Sequence, residues 1–274
     1  MVEIFNTLNW WDYFAIFLIL FFGLPHGAFD AAVGITIGLY NNIKTKLIFL
    51  CSYSFLSILI IVLWYFFSQY ILILFLLASI FHFGLGDLKW NNKFSYYLSG
   101  YFNGGIIIFG ISFLNFSEVN SIYNILVQGS TDLVWEFLKG GIIIWTLSCP
   151  IYFYINWKNL DRKYFFIFII LLAVIYFLPP LLAFAIYFCF IHSFNHVKRI
   201  VPALKISQTN ESIYRLFFIF TFISWFVGIV TLFLLIQSNS FSDSILRLTF
   251  IGLAALTFPH MILVDVFFRP KLKI

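Results

Sequence analysis

The chemistry in this chain is concentrated in its five histidines, His26, His82, His192, His196 and His260, each inside or at the edge of an apolar stretch. A titratable ring in hydrocarbon surroundings is costly unless it is hydrogen-bonded, paired or metal-bound, so imidazoles placed there are read as functional. Taken singly, each is more often a packing residue than a ligand. Five together, with one pair at helical spacing, shift the balance toward a metal or redox site. His192 and His196 supply that pair, since a helix of about 3.6 residues per turn stacks residues i and i+4 on one face. Neutral imidazoles favour iron, copper or zinc over calcium and magnesium, and the residues alone do not choose among the three. The three cysteines, Cys51, Cys149 and Cys189, form no CxxC pair and are expected to be small buried hydrophobes.

An aspartate follows three of the histidines: Asp30 after His26, Asp87 after His82 and Asp265 after His260. A carboxylate beside a ligand histidine accepts its ring N–H and so fixes the tautomer. Asp30, one helical turn past His26, would lie alongside that ring if a helix starts at Gly27, whereas Asp87 and Asp265 are less well aligned. Their alternative is an interfacial position at helix ends, beside Lys89 and Arg269. Asn195, between the paired histidines, offers either a further partner for the site or a helix-to-helix contact.

The elements that must position these residues are transmembrane helices. The chain of 274 residues is 62% hydrophobic and only 10% charged, and its mean hydropathy is +1.00. Soluble domains carry about a quarter charged residues. Uncharged runs such as 47–67, 71–86, 140–155, 164–178, 181–191, 216–236 and 248–264 mostly approach the ~20 residues that cross a bilayer as a helix. They do not alternate as barrel strands would. The expectation is an all-α polytopic bundle of about 8–10 helices forming one membrane domain over residues 1–274. Eight of the helices follow Lys46, and one or two precede it, because Gly23-Leu24-Pro25-His26-Gly27 interrupts the first apolar segment. Met1 to Trp11 lacks the basic start of a cleavable signal, so that segment is expected to be retained.

The net charge of +5 is distributed as in a membrane protein and not as in a nucleic-acid binder. Counting the runs as alternating crossings puts all of the 16 Lys and Arg except Lys139 and Arg247 on one side, which the positive-inside rule makes cytoplasmic, together with the C-terminus. His82, His192, His196 and His260 all come late in helices that run toward those basic loops. They therefore share a depth in the cytoplasmic half, where convergence on one site is physically allowed, and His26 would reach them from the Pro-Gly break.

At these residues the chain becomes recognisable. Gly23-Leu24-Pro25-His26-Gly27-Ala28 with Asp30, Phe81-His82-Phe83-Gly84 with Asp87, Ile191-His192-Ser193-Phe194-Asn195-His196 and Phe258-Pro259-His260-Met261 with Asp265 resemble the Brp and Blh family of bacterial and archaeal membrane proteins. The resemblance runs from about Leu18 to Val266, and four histidine motifs in order are far more specific than any one of them. It implies oxidative cleavage of β-carotene with O2 at the central 15,15′ double bond, giving retinal. It further implies an Fe(2+) cofactor held by His26, His82, His192 and His196, leaves His260 without a firm role, and implies association with microbial rhodopsins, to which retinal would be handed over in the inner membrane.

Two other classes are weighed against that reading. A membrane hydroxylase or desaturase with two irons would need about eight histidines in clustered boxes, more than are present. A haem-binding or metal-transporting protein would use histidine pairs as axial or transit ligands, yet transporters string polar residues across the membrane and here they gather at one depth. A retinal-binding opsin is disfavoured because no lysine lies in the middle of an apolar run.

Overall fold

The computed structural model describes residues 8–86, 88, 93–157 and 162–272, and its elements are all helical. The chain opens with α1 (Trp10–Leu18), started by a capping box between Asn9 and Asp12. It continues through a π turn (Ile19–Gly23), a 3-10 turn (Leu24–Phe29) and α2 (Asp30–Thr36). Backbone torsions stay right-handed helical through the Pro25 region, so residues 10–36 form one crossing and not two. What Pro25 changes is the hydrogen-bonding pattern, because it has no N–H to offer.

α3 (Ile43–Gly86) is nominally a single helix of 44 residues, but Phe67 departs from helical torsions (φ −136°, ψ 45°). A straight helix would separate Tyr53 from His82 by roughly 44 Å. Instead the Tyr53 hydroxyl donates to Asp30 at 2.8 Å, Asp30 accepts from His260 at 2.8 Å, and the His260 and His82 rings are 5.2 Å apart. α3 therefore folds back at Phe67 into two antiparallel arms, as the runs 47–67 and 71–86 lead one to expect. The bend is pinned by Trp64 Nε1 and Ser68 Oγ, which donate to the carbonyls of Leu126 and Val127 at 3.0 and 2.9 Å.

The remaining elements are α4 (Phe94–Leu114), α5 (Phe116–Val127), α6 (Asp132–Asn156), α7 (Arg162–Phe177), α8 (Pro180–Ile186) with a π turn (Tyr187–Ser193), α9 (Phe194–Leu204), α10 (Asn210–Leu235), α11 (Phe241–Met261) with a third π turn (Ile262–Phe268), and α12 (Arg269–Leu272). Among the described residues, seven helices are long and apolar enough to cross a membrane. With the second arm of α3 and the shorter α7 they make nine crossings. Large apolar side chains on α10, such as Phe222, Phe226 and Phe233, face outward, as a lipid-facing surface requires. Cys189 is buried as expected, but Cys51 is exposed on that outer surface.

The second arm of α3 packs against α4 with no room for side chains between the backbones. A Cβ at Gly84 would stand 1.8 Å from the Gly100 carbonyl oxygen, and one at Gly104 would stand 1.8 Å from that of Ile80. Gly100 and Gly104 are spaced as in the GxxxG contacts that let membrane helices touch. This close approach fixes the height and rotation of the segment that carries His82.

Candidate metal centre

The five histidines, separated by up to 234 residues along the chain, meet in one cluster. Ring centroids run 4.8 Å from His82 to His192, 6.1 Å from His192 to His196, 4.9 Å from His196 to His260 and 5.2 Å from His260 back to His82. His26 contacts this circuit at 5.3 Å from His192, 5.1 Å from His196 and 5.2 Å from His260. All five are at most 8% exposed. Ligand-capable atoms of His26, His82 and His260 lie within 4.8 Å of one another.

The local backbone explains how the rings converge. Each of the three π turns adjoins a histidine: one precedes His26, one contains His192, and one follows His260 and contains Asp265. A π turn inserts a residue into a helix and rotates everything beyond it, a feature that recurs at functional sites. The predicted i,i+4 pair thus straddles the junction of a π turn with α9, and both of its rings reach the cluster.

Hydrogen bonds fix the tautomers. His82 Nδ1–H donates to Asp265 Oδ2 at 2.8 Å, and His260 Nδ1–H donates to Asp30 Oδ1 at 2.8 Å. His26 Nδ1–H donates to the Gly23 carbonyl, with Ser193 Oγ 3.1 Å away. Each donation from Nδ1 leaves Nε2 as a lone-pair donor. Nε2 of His82, His192, His196 and His260 is buried and has no hydrogen-bond partner. Four buried imidazole nitrogens without partners would be expensive as an end state. They fit a metal ion, and the neutral nitrogen donor set, with Cys189 Sγ turned to the Leu18 carbonyl, fits a first-row transition metal.

The aspartates are partnered differently from their order in sequence. Asp30 serves His260 and not His26; Asp265 serves His82 and not His260. Asp30, at the start of α2, and Asp265, in the third π turn, each reach a ring from a distant segment, which spacing along the chain does not reveal. Asp265 also keeps its interfacial partner, accepting from Arg269 Nη1 at 3.1 Å. Asp87 lies outside the described residues. Asn195 is partly buried and makes no hydrogen bond to the cluster among the described residues.

Other participants were not visible in the sequence. Tyr53 donates to Asp30 from the middle of an apolar run, with no motif to mark it. Arg269, expected as an interfacial charge, is only 5% exposed. Its Nη2 donates to the carbonyls of Leu85 and Leu88 at 2.7 and 2.6 Å, and Arg199 donates to that of Gly86. Two guanidinium groups thus satisfy the free carbonyls at the end of α3, just past His82. A histidine or phenylalanine pattern does not announce either one.

A polytopic helical membrane protein with a buried cluster of five imidazoles, three of them held in one tautomer by hydrogen bonds, is the class that fold and site define. The sequence profile of the family described as beta-carotene 15,15'-dioxygenase matches residues 17–268. The beta-carotene 15,15'-dioxygenase of uncultured marine bacterium 66A03 is 33% identical over 267 residues, 94% of this chain and 94% of that protein. The chain belongs to the beta-carotene 15,15'-dioxygenase family. No solved structure matches it.

Proposed function

We propose that this protein is an integral-membrane β-carotene 15,15′-dioxygenase that cleaves the central double bond with O2 to give retinal. The observation that supports the reading is the set of buried Nε2 atoms without partners, in a chain whose family carries that activity by name. His26, His82, His192 and His196 would hold Fe(2+), and His260, which shares with His82, His192 and His196 a buried Nε2 without a partner and has a ligand-capable atom within 4.8 Å of those of His26 and His82, is a fifth candidate ligand. Bound iron would supply the activation of O2.

The protein's own residues orient and exclude. Asp30 and Asp265 hold the rings of His260 and His82 with Nε2 inward, and Tyr53 and Arg269 hold the aspartates in turn. A small space beside the cluster, lined by Leu24, Phe83, Phe188, Leu253 and Thr257 with His26, His82 and His260, gives the reacting bond a largely apolar setting. β-Carotene is a bilayer solute, so a site at membrane depth receives it laterally, and retinal would leave the same way to a rhodopsin. We place the cluster in the cytoplasmic half of the inner membrane, as a single domain, from the bias of basic residues toward one side.

Expression in cells that accumulate β-carotene tests this. Loss of orange colour with appearance of retinal is expected, together with iron in the purified protein. Unchanged carotene beside folded, iron-loaded protein would overturn it.

A further inference from the structure

A second, apolar space, of about 70 Å³ as it stands, lies among the helices away from the histidines. It is bounded by the second arm of α3, α4, α5, α8 and α11, and its wall is almost entirely aliphatic and aromatic. Three elements run past both this cavity and the histidine pocket, each offset by one helical turn. On α3 the cavity is lined by Ser79 and the pocket by His82; on α11, by Phe250 and Leu253; along α8 and its π turn, by Phe184 and Phe188. The two spaces are therefore neighbours along one axis, about 5 Å apart. Between them stand three phenylalanines: Phe184 stacks on Phe188 (5.5 Å, 8°), and Phe83 contacts them at 6.2 and 6.1 Å.

The length of the cavity is set by the same helices. Leu72 at its far end is ten residues from His82, which is about 15 Å along the helix. Ser112, level with that end on α4, shares a hydrogen bond of 3.1 Å with Tyr123 of α5. An extended chain advances roughly 1.2 Å per bond, so half of β-carotene, from central double bond to the far side of its ring, is roughly 15 Å long.

Resting on the carotene-cleavage reading, we propose that this apolar space opens to receive one ring-bearing half of β-carotene, with Phe184 as the partition the polyene displaces and the apolar side chains around it moving aside. The end wall at Leu72, Ile111 and Tyr123 then acts as a ruler that brings the central double bond, and no other, to the histidines. Ile111, 9% exposed, contributes to that wall without touching the histidine cluster.

Two variants test it. Ile111→Trp overfills the end of the cavity. It is expected to keep wild-type iron content, to lower carotene affinity by at least about tenfold, read by the absorption shift of β-carotene added to metal-free protein, and to replace part of the retinal by unequal fragments. Wild-type affinity and retinal as the sole product would overturn the proposal. Ile111→Cys is a small change that preserves folding. β-Carotene is expected to slow alkylation of the introduced thiol by a maleimide, measured by peptide mass, by about tenfold at saturation. Retinal formation without that protection would overturn the cavity and leave the reaction standing. Protection without retinal formation by the unaltered protein would overturn the reaction and leave the cavity as a carotenoid site.

Discussion

At the scale of single residues, the site is held by partners that cross between segments. Asp30 follows His26 in sequence, but its carboxylate orients His260 and is itself held by Tyr53. Removing a carboxylate that orients a ligand histidine weakens metal binding by about 10–100-fold. Asp30→Asn is therefore expected to lower iron affinity in that range, measured by competition with a chelator, and Tyr53→Phe to lower it less. His260→Ala is expected to abolish stoichiometric iron, and the same is expected of His192→Ala and His196→Ala. Metal analysis showing full iron in His260→Ala would remove that residue from the ligand set. None of these partnerships is legible in the sequence, since a hydrogen bond between residues 30 and 260 depends on which helix faces are brought together. The imidazoles themselves were legible because water-free surroundings leave a polar ring so few inexpensive roles.

At the scale of elements, two devices aim the rings. The first is the contact of glycines between α3 and α4. Gly104→Ala would force a methyl group onto the Ile80 carbonyl, 1.8 Å away, and overpacking of this kind costs at least about 1–3 kcal/mol. The helices must separate, so a lower unfolding temperature in detergent is expected, with iron lost before the fold. The second is the π turn at Tyr187–Ser193. Deleting the outward-facing Phe190 would restore α-helical phase and turn His192 and His196 by about 100° relative to α8. Loss of iron with unchanged helical content by circular dichroism is the expected result. Periodicity in a sequence reports an α-helix and is silent on one extra residue in a turn, so the helices were predictable and their phase at the site was not.

At the scale of the whole molecule, the histidines form a layer between two apolar cores. One core is built from residues that precede them, such as Ile19, Ile80, Ala185 and Ala254; the other from residues that follow, such as Val33, Leu204, Val264 and Phe268. The layer is thereby flanked by apolar packing on both sides. With nine crossings among the described residues, Leu8 and Leu272 are expected on opposite faces. Reporter fusions are expected to read the C-terminus as cytoplasmic and the loop at Gln128–Ser130 as external; a cytoplasmic signal from that loop would overturn the orientation.

The order of amino acids alone marks a helical membrane protein whose chemistry belongs to five histidines and, through their motifs, the family it joins. Those properties follow from composition, from hydrophobic run length and from residues placed where an unused polar ring is costly. Only the tertiary structure decided that His260 stands with the other four, that the aspartates serve rings from distant segments, and that the Pro-Gly break is one continuous crossing. It alone also revealed the cavity one turn beyond the cluster. The physical reason is common to all of these: each depends on the angle and height at which helices far apart in sequence pack, and those are set by glycine contacts, inserted turns and buried arginine caps whose effects appear only when the helices meet.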